Sequence, residues 1–212
     1  MQGMKDLKVN NIFYSVQGEG NHTGEASIFI RLSNCNLRCR YCDTDYVSGI
    51  NLSLEQILER LPSVTSKRIV WTGGEPLLQL NSETVRFFND HGYLQSIETN
   101  GSIPPPLGLD YIAISPKTVS LKKLGMNFEG RTIGEFRYLI GTDSDIPKIR
   151  CVPPEIKNLP KASFYYVSPL FVGERHKKFE LDQDNLKMAI DFVKADPRWR
   201  LSVQNHKIWN VP

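Results

Sequence analysis

Short apolar runs alternate with amphipathic stretches along the chain, and the alternation sets out most of its elements. Val9–Val16 reads as a first strand or extended lead-in that stops at Gln17-Gly18-Glu19-Gly20. Ser27–Ser33, rich in apolar and β-branched residues, predicts a core strand. Ser53-Leu54-Glu55-Gln56 has the form of a capping box, and Leu54, Ile57, Leu58 and Leu61 share one face of an amphipathic helix. A strand at Lys67–Trp71 runs into Thr72-Gly73-Gly74-Glu75-Pro76, and a second helix, Ser82–Asp90, is stopped by Gly92. Leu94–Gly101 predicts a strand and turn. Ser102–Gly108 excludes a helix, because its prolines lack the N–H and clash with the preceding turn, so a loop replaces the crossover expected there. Tyr111–Lys117, Glu135–Ile140 and Phe164–Leu170 predict three further strands, while Thr118–Thr132 shows no readable period. Asp182 caps a helix with Leu186, Ala189, Ile190 and Val193 on one face, and Leu201–Gln204 predicts a closing strand.

Strands alternating with helices over 212 residues indicate a single α/β domain, residues 1–212, with a parallel sheet curled as a barrel or part of one. Such folds bind ligands at the carboxyl ends of their strands. Cys35–Cys42, Gly73–Pro76, Glu98–Gly101, Ser115–Lys117 and Ser168-Pro169 each follow an apolar strand, so one pocket is expected to collect them.

Composition narrows the function. Hydrophobic residues at 40% and charged residues at 23% are ordinary for a globular protein. No apolar run approaches the ~20 residues of a membrane helix. The start, Met1–Asp6, has no signal layout, so a cytoplasmic location without a membrane partner is expected. A net charge of +3 without a block of like charges does not argue for nucleic acid; an anionic small substrate fits it equally well. Four cysteines do not make a disulfide scaffold, and Cys35, Cys39 and Cys42, spaced C-x3-C-x2-C, look like ligands. A structural zinc site wants four closed ligands, whereas a cubane iron–sulfur cluster on three thiolates leaves one iron free. Cys151 is expected to be a small, partly buried hydrophobe. Gln17–Gly20 is either a ligand-approaching turn or a tight surface turn, and Arg31, a charge inside an apolar strand, is salt-bridged or aimed at an anionic ligand.

The thiol triplet after the first core strand, with the Gly73-Gly74-Glu75-Pro76 turn after the second, resembles the radical S-adenosylmethionine (SAM) superfamily. The resemblance implies that Cys35, Cys39 and Cys42 hold a 4Fe-4S cluster whose free iron binds the amino and carboxylate groups of SAM, and that electron transfer then gives a 5′-deoxyadenosyl radical. The carbonyls of Gly73 and Gly74 would accept from the SAM ammonium, and Glu75 would orient their turn. Adding Gln17–Gly20, Arg31, Cys42-Asp43-Thr44, Glu98–Gly101, Ser115–Lys117 and Gln204–Lys207, the whole chain resembles the 7-carboxy-7-deazaguanine synthase family.

That family converts 6-carboxy-5,6,7,8-tetrahydropterin to 7-carboxy-7-deazaguanine with loss of ammonia, using SAM, a 4Fe-4S cluster and Mg²⁺, on a reduced, incomplete β/α barrel. The resemblance implies a homodimer served by an electron donor such as flavodoxin or ferredoxin. Val16, Gln17, Gly18 and Glu19 should hold the pterin-like ring, Arg31 the substrate carboxylate, and Thr44 the Mg²⁺. Thr99 should touch substrate, and the carboxylate of Pro212 should accept from its amine and ring N–H groups. Tyr41, Cys42, Asp43, Gly101, Ser115, Pro116 and Lys117 should line the SAM site. Ser168-Pro169-Leu170-Phe171 corresponds to a SAM-contacting turn that more often begins Gln-Pro, so only its backbone is expected to serve. His206 and Lys207 are expected to be solvated or packing residues. The implied chemistry is hydrogen abstraction at C6, ring contraction, proton loss and ammonia elimination, with no dedicated acid–base pair. A radical SAM activase acting on a partner protein and a zinc-stabilised binding module are the rival readings.

Overall fold

Ile28, Ile30, Ile69, Trp71 and Ile97 on one face of the central strands, and Phe29 and Val70 on the other, are buried, as parallel strands covered on both faces require. The computed structural model describes residues 6–142, 150–173 and 180–212. Its first part runs β1 (Leu7–Val16), β2 (Ala26–Leu32), β3 (Ile50–Leu52), α1 (Leu54–Glu59), β4 (Arg68–Gly73), α2 (Ser82–Asp90), β5 (Leu94–Thr99), β6 (Tyr111–Ile114) and α3 (Leu121–Asn127). There follow β7 (Ile133–Thr142), β8 (Arg150–Cys151), β9 (Ala162–Pro169), β10 (Phe171–Val172), β11 (Glu180–Leu181), α4 (Gln183–Ala195), β12 (Arg200–Leu201) and α5 (Asn205–Trp209).

The main sheet has the order β3-β1-β2-β4-β5-β6-β7-β9-β12, with β8 on β7 and β10-β11 as a separate pair. From β2 to β12 every neighbour along this path is parallel; β1 pairs antiparallel with β2 and β3. The far edges approach each other at one end. Beyond β12, the Ser202 hydroxyl accepts from the Gly20 N–H at 2.9 Å and the Asn205 N–H donates to the Gly18 carbonyl at 3.1 Å. The sheet is therefore curled into an incomplete barrel whose edge strands stay unpaired with each other.

Local chemistry accounts for the elements. The expected capping box is present at α1: Ser53 accepts from the Gln56 N–H while the Gln56 side chain accepts from the Ser53 N–H. The Asn81 and Asp182 side chains cap α2 and α4 by accepting from the Thr84 and Asn185 N–H groups. Trp71 on β4 packs edge-on against Phe88 of α2, with ring centroids 5.2 Å apart, and its indole N–H donates to Gln95 Oε1 at 2.9 Å. Gln95 in turn donates to the Val85 carbonyl and to Asn89 Oδ1, so the helix is tied to the sheet through one satisfied buried amide. A smaller core gathers Tyr138, Tyr165 and Phe192 around the buried Trp199.

The sequence pattern misplaces several details. β3, a three-residue edge strand, was not expected, and α3 occupies the stretch without a readable period because only Leu124 is buried on it. On α4 the buried residues are Asn185 and Ala189, while Ile190 is 39% exposed. Asn185 earns its place by hydrogen bonding the main chain of Thr142 and Leu170. The closing strand shrinks to Arg200–Leu201, and a helix, α5, follows it. The proline stretch does run as a loop from β5 to β6. Among the described residues no helix is long and apolar enough to cross a membrane.

Candidate active site

Two cavities meet at the carboxyl ends of the parallel strands. The first, of about 200 Å³, is lined by Cys35, Cys39 and Cys42 together with Gly73 and Gly74 from the end of β4. Tyr41, Asp43 and Thr44 from the cysteine loop, Thr99, Ser115 and Lys117 after β5 and β6, and Ser168, Leu170 and Phe171 after β9 complete it. The second, of about 410 Å³, is lined by Val16, Gln17, Gly18 and Glu19, by Arg31 and Phe13, and by Pro212. Glu19, Asp43, Thr44, Thr72, Glu98, Gln204 and Lys207 line both, so these seven residues form the junction. Glu75, Gly101 and Pro169 line neither cavity, and Pro116 faces a side cavity with Tyr41, Lys117 and Cys151.

The strand ends shape the first cavity. Asn34, in the left-handed region at φ 67°, turns the chain out of β2 and into the cysteine loop. Gly74 packs directly on the Asn34 carbonyl, where a Cβ would collide, and the Gly74 and Glu75 N–H groups donate to Leu32 and Asn34 carbonyls at 2.9 Å. Gly73, at φ 116°, takes a conformation that favours glycine. Glu75 is fully buried beneath the turn and accepts from Leu77 N–H, Thr99 hydroxyl and Asn100 N–H at 3.0, 2.7 and 2.7 Å. It fastens the glycine turn to the end of β5 without facing the cavity.

The three thiols carry no disulfide. Burial pushes Cys35 and Cys39 up, so both are protonated thiols when free, and a metal centre held there would displace their protons. The Leu37 N–H points at Cys35 Sγ at 3.4 Å, the kind of donor that tunes a cluster's potential. Among the described residues no three His, Cys, Asp or Glu side chains converge on a single-ion site. Cys35, Cys39 and Cys42 nevertheless line one cavity with space beside them, a donor set that would hold an iron–sulfur cluster on three thiolates and leave one iron open. For SAM, the cavity offers the open Gly73-Gly74 backbone and the Ser168 hydroxyl, which is 2% exposed and has no hydrogen-bond partner among the described residues. A buried orphan hydroxyl lining a cavity is suited to a polar ligand atom. The Lys117 ammonium lies 5.7 Å from the Tyr41 ring centre and donates to Ser115 Oγ at 3.0 Å. Cys151 is half-buried, and burial raises its thiol.

In the second cavity Arg31 sits 5.3 Å over the Phe13 ring, and no carboxylate among the described residues pairs with it. His206 packs against Gly18, and both line this cavity. The Ser15 hydroxyl donates to the Pro212 main-chain oxygen at 3.0 Å, fixing residue 212 at the cavity wall. At the junction Lys207 pairs with Asp43 at 2.6 Å; burial would raise Asp43, but Lys207 outweighs it and holds the carboxyl below its usual value.

A buried charge network behind the junction was not anticipated. Arg137, 8% exposed, donates to Glu98 at 2.8 Å and Glu19 at 3.4 Å from Nη1, and to the fully buried Glu135 from Nε. Glu135 also accepts from the Tyr111 hydroxyl and the Asn21 N–H, both at 2.8 Å. Desolvation opposes the charge on Arg137, but the three carboxylates win and raise it further. The signal was available: Glu135 and Arg137, two apart in an apolar strand, must share the face opposite Gly134 and Phe136.

A parallel-strand barrel with a three-cysteine loop and a glycine turn at one end defines a radical SAM protein, and residues 29–133 match the model of the Radical SAM superfamily. A 7-carboxy-7-deazaguanine synthase from Haemophilus influenzae is 38% identical over 97% of this chain and 94% of its own length. The synthase from Neisseria meningitidis is 35% identical, covering 94% of this chain and 92% of its own. The crystal structure of QueE from Escherichia coli shares the fold with a TM-score of 0.67 at 19% identity over 93% of each chain. The chain belongs to the 7-carboxy-7-deazaguanine synthase family.

Proposed function

We propose that the chain converts 6-carboxy-5,6,7,8-tetrahydropterin to 7-carboxy-7-deazaguanine with release of ammonia, a step in making the queuosine precursor, and that residues 1–212 act as one radical SAM domain. The observation that carries this reading is the junction itself: a cavity with three cysteines and a glycine turn opens onto one with an arginine that no carboxylate among the described residues pairs with. When bound, a 4Fe-4S cluster on Cys35, Cys39 and Cys42 and a SAM molecule beside Gly73, Gly74, Ser115, Lys117 and Ser168 supply hydrogen abstraction.

The protein's own residues do the rest. Arg31 offers a planar fork for the substrate carboxylate, and the Phe13 ring, 5.3 Å from its Cζ, supports it by a cation–π contact. Gln17 and Glu19 present an amide and a carboxylate to the ring edge; the Glu19 N–H donates to Gln17 Oε1 at 3.1 Å, which locks the turn. The Asp43–Lys207 pair, at 2.6 Å, forms the wall of the junction on the side of α5. Thr44 lines both cavities and is the residue we assign to Mg²⁺, completed by waters and substrate oxygens, since a single hydroxyl is a sparse site.

The family resemblance also supports a cytoplasmic homodimer reduced by a flavodoxin- or ferredoxin-type donor. The test is anaerobic turnover of the carboxypterin by reconstituted protein with SAM, reductant and Mg²⁺, read by mass spectrometry of the product. Product that is lost in Cys39→Ala and reduced by chelation, then restored by Mg²⁺, is the expected result. Cleavage of SAM without product would overturn the substrate, and a chain that retains zinc and no iron would overturn the class. Mass photometry reads the dimer in the same preparation.

A further inference from the structure

Of the three carboxylates at the junction, Glu19, Asp43 and Glu98, the last has been given no role toward substrate. Glu98 stands at the end of β5, one residue before Thr99, and lines both cavities. Its side chain is 24% exposed, so it faces the cavity space and is not sealed in the wall. Three donors hold it: Gln17 Nε2 at 3.1 Å and Arg137 Nη1 at 2.8 Å on Oε1, and the Thr72 hydroxyl at 2.9 Å on Oε2. An ionised carboxylate has about four acceptor positions. Oε1 is filled, and Oε2 keeps one lone pair for a donor in the cavity.

The reacting carbon must lie at the junction, because hydrogen abstraction starts from the cysteine cavity while Arg31 stands in the other. In a reduced pterin the atom beside that carbon is a ring N–H. We propose that Glu98 is a specificity-determining, substrate-contacting carboxylate that accepts a hydrogen bond from the ring N–H next to the reacting carbon, and that Arg137 is the positioning residue that aims it. The inference rests on the proposed substrate. It explains why a guanidinium is buried among Glu19, Glu98 and Glu135: one rigid fork fixes the substrate-facing carboxylate relative to the 17–21 turn. It also accounts for Thr72 and Gln17, each of which points a donor at Glu98 and favours the orientation seen.

The test exploits the fully aromatic analogue, 6-carboxypterin, whose corresponding ring nitrogen carries a lone pair and no hydrogen. A carboxylate repels that lone pair, whereas the amide of Glu98→Gln can donate to it. Sites built to bond an N–H reject analogues lacking it strongly. The measurements are turnover of the tetrahydro substrate and fluorescence titration of 6-carboxypterin, for wild type, Glu98→Gln and Arg137→Lys, with thermal melts and SAM cleavage without substrate as controls. In Glu98→Gln, kcat/KM is expected to fall at least about tenfold while 6-carboxypterin binds more tightly. Arg137→Lys is expected to lower kcat/KM without tightening the aromatic analogue, because the carboxylate remains but is no longer aimed.

Wild-type turnover with kcat/KM and analogue affinity unchanged in Glu98→Gln overturns the proposal alone. Weaker binding of both pterins in Glu98→Gln assigns Glu98 a purely structural role and also overturns it. If Glu98→Gln fails to fold, Arg137→Lys decides: unchanged kcat/KM there refutes the positioning role and the proposal with it. Absence of turnover by the wild type overturns the assigned substrate, and this inference falls with it.

Discussion

Replacing Gly74 by alanine tests how the glycine turn and the cysteine loop are joined. Gly74 lies against the Asn34 main chain, and the Glu75 N–H donates to the same carbonyl at 2.9 Å. Asn34 immediately precedes Cys35. A Cβ at Gly74 meets backbone on one side and Tyr46 Cβ at 3.1 Å on the other, so no flexible side-chain end can give way. Overpacking of this kind costs about 1–3 kcal/mol. If the loop relieves it by moving away, the geometry that binds the cluster falls in population by about 5- to 150-fold. The assay is iron and sulfide content after anaerobic reconstitution, followed by the rate of SAM cleavage. Gly125→Ala is the control, because nothing lies within 4 Å of its Cβ and it sits inside α3. We expect Gly74→Ala to lose cluster or SAM cleavage while Gly125→Ala keeps both and is slightly more stable. A Gly74→Ala protein with wild-type cluster content and cleavage rate would refute the reasoning.

Three further outcomes follow from the same geometry. Trp71→Ala empties the space against Phe88 and strands Gln95, and should lower stability by about 3–5 kcal/mol, measured as the shift of the urea midpoint at constant slope. Burial alone would raise Glu98, but Arg137, Thr72 and Gln17 hold it below its usual value. Its contribution to stability is therefore present above the unfolded pKa of about 4.3 and lost as pH falls through the lower folded value, so the wild-type thermal midpoint should drop more steeply on acidification than that of Glu98→Gln. Ser168→Ala removes the orphan hydroxyl of the first cavity and should weaken SAM binding by up to about tenfold, read by equilibrium dialysis, without changing the melting temperature by more than a degree or two.

What the sequence discloses follows from where the physics is local. The strand pattern, the Ser53 capping box and the proline loop depend on neighbours in the chain, and each has its expected counterpart in the structure. Convergence at the carboxyl ends of the strands could be inferred because parallel sheets place their loops there, and the cysteine loop, the glycine turn, Ser115 and Ser168 do line one cavity. β3 and α3 escaped because three- and seven-residue elements with one buried side chain leave no period to read. Apolar spacing places Ile190 on the buried face of α4, but Asn185, a polar residue satisfied by distant backbone, is buried there instead. The Arg137 network escaped for another reason. Its members come from β5, β7 and the turn after β1, and only the curl of the sheet sets Glu19, Glu98 and Glu135 around one guanidinium. Glu75 belongs to both cases: its role in orienting the turn was expected, while its full burial and its bond to Thr99 required the fold.

The most direct measurement is isotopic. Tetrahydropterin carrying deuterium at C6 is incubated anaerobically with the reconstituted protein, SAM, reductant and Mg²⁺, and both 5′-deoxyadenosine and product are analysed by mass spectrometry. The account predicts deuterium in the 5′-deoxyadenosine formed alongside 7-carboxy-7-deazaguanine. Product without that transfer, or 5′-deoxyadenosine free of deuterium and no product, would contradict it.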